Sequence, residues 1–260
     1  MYLQTEMIRA VARTWEPPPS TLELQREEVH VWRGNLSQES HRVAELWPSL
    51  CEEEKTRASR FQYPEEADRY ILAHGMLRNI LLRYRAFVSV PICISLGPKG
   101  KPYLPSSSNG PALSFNLSHS PSLFLLAITL DWKLGIDVEP ISRPTDWQAI
   151  ASRYFSAEEL QYLFALPAPQ REQAFFSLWA CKEAYVKAKG EGLSVPLNSF
   201  SILQSQDGTL RLVDRKDPGT ALNWSFLSLL PDDRHVGALA VEGRASAVSF
   251  WEWSNNRTCS

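Results

Sequence analysis

Residues 175–193 read FFSLWACKEAYVKAKGEGL, and the fold turns on this stretch. Leu178, Cys181, Tyr185 and Ala188 recur at helical intervals and make one apolar face. Trp179, Glu183 and Lys187 are spaced four apart and form the neighbouring stripe. A buried helix avoids charge, because an unpaired charge in the core is costly. Yet Lys182, Glu183, Lys187 and Lys189 all fall here. A surface helix has no use for Phe175, Phe176, Trp179 and Tyr185 in such density. A packed helix with one charged edge turned to a site reconciles the two. The plainer alternative is a simple i,i+4 pair between Glu183 and Lys187, which stabilises a helix by about 0.2–0.5 kcal/mol.

Upstream, GIDVE at 135–139 reads as a strand, because its apolar and acidic residues alternate. Ile136 and Val138 then point inward, while Asp137 and Glu139 share the other face. Two carboxylates so placed repel each other unless a cation sits between them, and Mg²⁺ with oxygen ligands is the usual remedy. Taken alone, the pair reads as a solvated strand face. Glu183, at the edge of an apolar wall, could serve as a third metal ligand or as a base, with Lys187 a cationic clamp one turn on.

Further out lie LGPKGKPYL at 96–104 and NLSHS at 116–120. The first places Gly97, Gly100 and two lysines before Pro102, so that backbone can approach a ligand closely. It lacks the phosphate-loop pattern GxxxxGK[ST]. The second puts Ser118 and His119 in a turn between two short strands. A Ser–His nucleophile is disfavoured there, because adjacent residues point apart and no third group is evident. Contact of His119 with a phosphate fits better. Residues 55–101 carry nine Lys and Arg (Lys55, Arg57, Arg60, Arg69, Arg78, Arg83, Arg85, Lys99 and Lys101) against three acids, enough to grip a multiply phosphorylated ligand.

The rest of the pattern is mixed helix and strand. A strand is expected at 27–36, and a helix follows it with Ser37 as cap and a break at Pro48. A strong helix starts at Pro64. Helical segments at 145–166 are kinked near Ser156, and four strands follow the quoted stretch. SRF at 59–61 and SRYF at 152–155 each precede acids, a long helix and short strands. A duplicated α+β unit explains that rhyme, and so would coincidence.

The totals set outer limits. The chain has 260 residues, 44% hydrophobic and 22% charged, so it can build a real core. A net charge of −2 and the lack of an aromatic-and-basic signature argue against nucleic acid. The four cysteines show no CxxC spacing, against a zinc site or a disulfide framework. No long apolar run is present, so a soluble, cytoplasmic chain with no membrane role is expected. Residues 1–25 read as a poorly ordered lead-in, 26–133 as one α+β half, and 134–260 as a second half bearing the metal site.

GIDVE followed by WACKEAYVKAKGEGL, with GKP at 100–102 and NLSHS upstream, closely resembles the signatures of 4'-phosphopantetheinyl transferases, in the long, monomeric, Sfp-type branch. Ala180 stands where that family often has Ser or Thr. The resemblance implies an α+β fold of two similar halves, each a long helix on a small antiparallel sheet, with the active site between them. It implies transfer of the phosphopantetheine arm of coenzyme A to a serine of an apo acyl or peptidyl carrier protein. The pathway served could be fatty acid, polyketide or nonribosomal peptide synthesis. Mg²⁺, or Mn²⁺, would be held by Asp137, Glu139 and Glu183, with Glu183 and Lys187 catalytic. Gly100, Lys101 and Pro102 would cradle the adenine. Ser118, His119 and Arg57, with Arg60 or Arg69, would meet the 3'-phosphate and pyrophosphate. The rivals are a Mg²⁺-dependent phosphohydrolase and a carrier-binding module without catalysis.

Overall fold

The computed structural model describes residues 11–12, 14–105, 110–141, 145–205, 208–215 and 217–253. β1 (Val11–Ala12) and β2 (Glu28–Asn35) precede α1 (Val43–Leu46), α2 (Glu52–Ala58) and α3 (Pro64–Leu81). A short hairpin, β3 (Ser95–Leu96) and β4 (Pro102–Tyr103), leads to β5 (Leu113–His119) and β6 (Leu123–Leu130). Then come β7 (Leu134–Pro140), α4 (Trp147–Tyr154), α5 (Ala157–Ala165) and α6 (Ala168–Lys189). β8 (Phe200–Gln204), β9 (Leu210–Asp214), α7 (Pro218–Ala221), β10 (Trp224–Asp232), β11 (His235–Glu242) and β12 (Ala247–Glu252) follow.

Local chemistry accounts for many of the boundaries. Pro64 opens α3, where its missing N–H costs nothing. Ser156 caps α5 in a reciprocal box with Glu159 and separates it from α4. Gly190 ends α6 at φ 69°, a conformation that favours glycine. The helix expected from Ser37 is instead a series of short turns, because Pro48 sits in a 3₁₀ turn between α1 and α2.

Two four-stranded sheets, ordered β1-β10-β11-β7 and β12-β2-β6-β5, pack face to face. Val29, Val31, Leu125, Ile136, Val138 and Leu239 fill the layer between them. α3 covers the outer face of the second sheet, on Trp32, Phe124, Leu126 and Ile128. α6 covers the outer face of the first, on Val236, Ala238 and Ala240. The result is helix, sheet, sheet, helix. In each half a first strand pairs antiparallel with the third, and the third with the second: β2-β6-β5 and β7-β11-β10. The rhyme in the sequence thus corresponds to a repeated topology.

The fourth strands are not part of the repeat. β1 joins β10 in parallel, and β12, from the far end of the chain, joins β2 in parallel. Each sheet therefore has one parallel edge. The segment read as a lead-in is placed from residue 14 along β12. Glu16 exchanges backbone hydrogen bonds with Phe250 and Glu252, Trp15 meets Phe250 edge-on, and Leu24 is buried. Residues 1–10 and 13 lie outside the described set.

β7 and α6 approach unusually closely. A Cβ on Gly135 would lie 2.0 Å from Ala184 O and 2.5 Å from Ala188 N, both backbone atoms. Gly135→Ala must push strand and helix apart, at a cost of about 1–3 kcal/mol or more. A lowered urea midpoint with unchanged slope is the expected reading.

A second feature makes stability pH-dependent. The Glu54 carboxylate accepts from Cys51 N, His74 Nδ1 and Arg78 Nε at 2.9, 2.9 and 2.7 Å. Burial alone would raise its pKa, but these bonds outweigh burial and lower it to about 2. Because the folded value lies below the unfolded one, the stabilisation is present above the unfolded pKa and lost as pH falls toward 2. The loss is on the order of 3 kcal/mol. Urea midpoints should fall as pH is lowered from 5 to 2, and Glu54→Gln should flatten the dependence.

Candidate active site

Asp137 and Glu139 lie on the face of β7 turned to α6, the same face as Gly135. Ile136 and Val138 lie on the other face, in the layer between the sheets. α6 presents Trp179, Glu183 and Lys187, two helical turns of one stripe, toward the acids. The end of β5 adds Ser118 and His119 from the other half. Together they line a cleft of about 770 Å³ between the halves.

At its centre, Lys187 Nζ donates to Asp137 Oδ1 at 2.6 Å and to Ser118 Oγ at 3.0 Å. Ser118 Oγ donates in turn to Asp137 Oδ1 at 3.0 Å. The other carboxylate oxygen, Asp137 Oδ2, is buried and has no partner among the described residues. Such an oxygen carries a desolvation penalty of about 1–3 kcal/mol until a donor or cation reaches it. Trp179 Nε1 donates to Glu139 Oε1 at 3.1 Å. The Glu183 pKa is raised, first by burial and then by Asp137, with Lys187 opposing. The three carboxylates share the cleft, but they do not converge. Among the described residues no three His, Cys, Asp or Glu side chains are grouped as a ready metal site.

His119 stands at the mouth. Burial, followed by the charges of His74, Lys187 and Arg69, lowers its pKa. The residue as a whole is nonetheless exposed. A row of aromatic and basic groups leads away from it. His74 stacks on Tyr70 at 4.0 Å between centroids, and Arg57 lies over Tyr70 at 5.5 Å. Arg69 Nε donates to its own helix, at Glu65 O. Arg60 shares a separate surface hollow with Arg57 and does not line the cleft.

GKP is placed differently from the sequence expectation. Gly100 adopts φ 82° in the hairpin turn, and Pro102 opens β4. Lys101 Nζ is committed to two backbone carbonyls, Leu134 O and Ala188 O, at 3.0 Å each. None of the three lines the cleft. Lys182 is also absent from it. It lies fully buried and ion-paired with Glu159.

Other cleft residues carried no local signal. His235 is buried on β11 and has Ser120 Oγ at 3.0 Å from Nε2 and Asp232 Oδ1 at 2.8 Å from Nδ1. Asp232 Oδ1 is a carboxylate oxygen and can only accept, so Nδ1 carries a proton and donates to it. This imidazole joins the β5–β6 turn to the β10–β11 turn, across 115 residues of sequence. Arg234, beside it, is exposed and lines the cleft.

A sequence profile of the 4'-phosphopantetheinyl transferase superfamily matches residues 133–240, and one of the 4'-phosphopantetheinyl transferase N-terminal region matches residues 30–130. The chain is similar to 4'-phosphopantetheinyl transferase HetI of Nostoc sp., 36% identical over 92% of this chain and 98% of the relative. It is similar to 4'-phosphopantetheinyl transferase psf-1 of Bacillus pumilus, 37% identical over 71% and 77%. Against 4'-phosphopantetheinyl transferase Sfp of Bacillus subtilis it is 33% identical over 65% and 74%. Among the described residues no helix is long and apolar enough to cross a membrane.

Proposed function

Since this chain belongs to the 4'-phosphopantetheinyl transferase superfamily, we propose that it moves the phosphopantetheine arm of coenzyme A onto a serine hydroxyl of an apo acyl or peptidyl carrier protein. A bond forms between the serine oxygen and the β-phosphorus, the pyrophosphate bridge breaks, and adenosine 3',5'-bisphosphate leaves. The observation that carries this reading is the Lys187–Asp137–Ser118 constellation, with Asp137 Oδ2 left without a partner among the described residues, in a cleft shared with Glu183.

That orphan oxygen and an all-carboxylate donor set suit a hard divalent cation, Mg²⁺ or Mn²⁺. Asp137, Glu139 and Glu183 would hold it, and when bound it neutralises charge on the pyrophosphate. Glu183 takes the proton of the attacking serine. Lys187 stands ready to meet the charge that grows on the leaving phosphate. His119 would hydrogen-bond the 3'-phosphate, and Arg57 and Arg69, beside the Tyr70–His74 stack, would supply positive charge nearby. Trp179 fixes the Glu139 carboxylate by its indole N–H.

Intact-protein mass spectrometry of an apo carrier protein, incubated with this protein, coenzyme A and Mg²⁺, tests the reading. A mass gain of one phosphopantetheine arm, lost on chelation, is expected. Release of adenosine 3',5'-bisphosphate without any carrier would point to hydrolysis. Neither product with a panel of carriers would leave the binding module.

A further inference from the structure

Among the described residues β7 is an edge strand of its sheet, and one side of its backbone has no ladder partner. The other half of the chain supplies the missing partners. Asn116 Oδ1 accepts from Ile136 N at 2.8 Å, and Lys101 Nζ donates to Leu134 O at 3.0 Å. The same ammonium also donates to Ala188 O at 3.0 Å. Ala188 lies in the last turn of α6, where carbonyls lack intrahelical donors. Gly190 N serves Val186 O and Lys187 O, and Lys101 serves Ala188 O. A cation there also suits the negative end of the helix.

We propose that Lys101 is a positioning residue, a tie between the start of β7 and the end of α6 that sets the spacing of Asp137 against Glu183 and Lys187.

Three further observations agree with it. Gly135 has no side chain because β7 and α6 touch at this point, and Lys101 binds carbonyls on either side of that contact. The stem of Lys101 is itself fitted: a Cβ on Gly190 would meet Lys101 Cδ at 3.4 Å. The hairpin that carries it is closed by Gly97 N donating to Lys101 O at 2.8 Å, so the stem leaves from a fixed point. Burial lowers the Lys101 pKa to about 8. The tie survives loss of that proton, because a neutral amine keeps two N–H donors for two carbonyls.

The kinetic consequences rest on the transfer reading above, whereas amide exchange does not. Lys101→Met keeps the length of the stem and removes the donors. It should lower kcat by about tenfold or more, with KM for coenzyme A within about threefold. The ratio of kcat/KM for coenzyme A to that for 3'-dephospho-coenzyme A should not change. Amide exchange should quicken in residues 134–138 and 186–190 but not in α3. Lys101→Arg, which keeps donors, should fold and retain more activity than the Met variant. A rise in KM for coenzyme A alone, with kcat kept, would make Lys101 a ligand contact and overturn the proposal. So would unchanged kinetics and exchange, or an Arg variant no better than Met. If the unsubstituted protein transfers nothing, the functional reading fails, and the exchange experiment still decides the tie.

Discussion

Glu183→Gln lowers turnover by about 10²–10⁴-fold, the range for loss of a general base, while the fold stays intact. The substitution keeps the shape of the side chain and removes its charge and its basic oxygen. Burial and Asp137 both raise the Glu183 pKa, so the ionised form is held against a penalty in the folded state. A neutral amide relieves that penalty. The melting temperature of the variant should therefore equal or exceed that of the parent, the usual exchange of stability for activity at a site. Initial rates of carrier modification and thermal unfolding, measured on the same preparation, check both halves. Near-normal transfer by the folded variant would remove Glu183 from the chemistry.

Lys182→Met should be the most destabilising single change in α6. Lys182 and Glu159 are both fully buried, with Nζ 2.7 Å from each carboxylate oxygen and 2.9 Å from Phe200 O. Glu159 also accepts from Ser156 N and Ile202 N. The pair thus joins α5, α6 and β8. Desolvation lowers the Lys182 pKa, and the attraction of Glu159 opposes it. Removing one partner strands a buried charge, a loss of about 3–5 kcal/mol. The double variant Lys182→Met with Glu159→Gln should recover part of that loss, because no charge is stranded while the amide oxygen still accepts from Ile202 N. Urea denaturation of the two single variants and the double measures the coupling. Strict additivity would show that the pair does not act as a unit.

These two neighbours, Lys182 and Glu183, show how far local pattern reaches. The four-residue spacing of Trp179, Glu183 and Lys187 placed them on one stripe, and the stripe faces the cleft. The alternation of GIDVE placed Asp137 and Glu139 on one face and Ile136 and Val138 on the other, as found. Lys182 looked like a further charge of the same edge. One residue along a helix turns the side chain by about 100°, and this one entered the core. Its partner, Glu159, lies in the capping box of α5.

β12 was missed for a related reason. Its residues, AVSFWE, are compatible with a strand, but its partner is β2, at the other end of the chain. A strand becomes visible in a sequence mainly through its neighbours and turns, and here the neighbour is remote. The same distance hid the contact of His235 with Ser120 and that of Lys101 with Ala188, 87 residues away.

The sequence by itself determined the long helices α3 and α6, the cap at Ser156, the apolar faces and the acids and lysine of the cleft. Those features depend on periodicity and on chemistry within a few residues. Tertiary structure alone decided which buried charges pair with each other, how the far end of the chain completes the sheet of β2, β6 and β5, and which lysine holds a strand to a helix. Those depend on which groups are left without partners once the layers pack, and an unsatisfied carbonyl or carboxylate takes whatever donor the fold brings within reach.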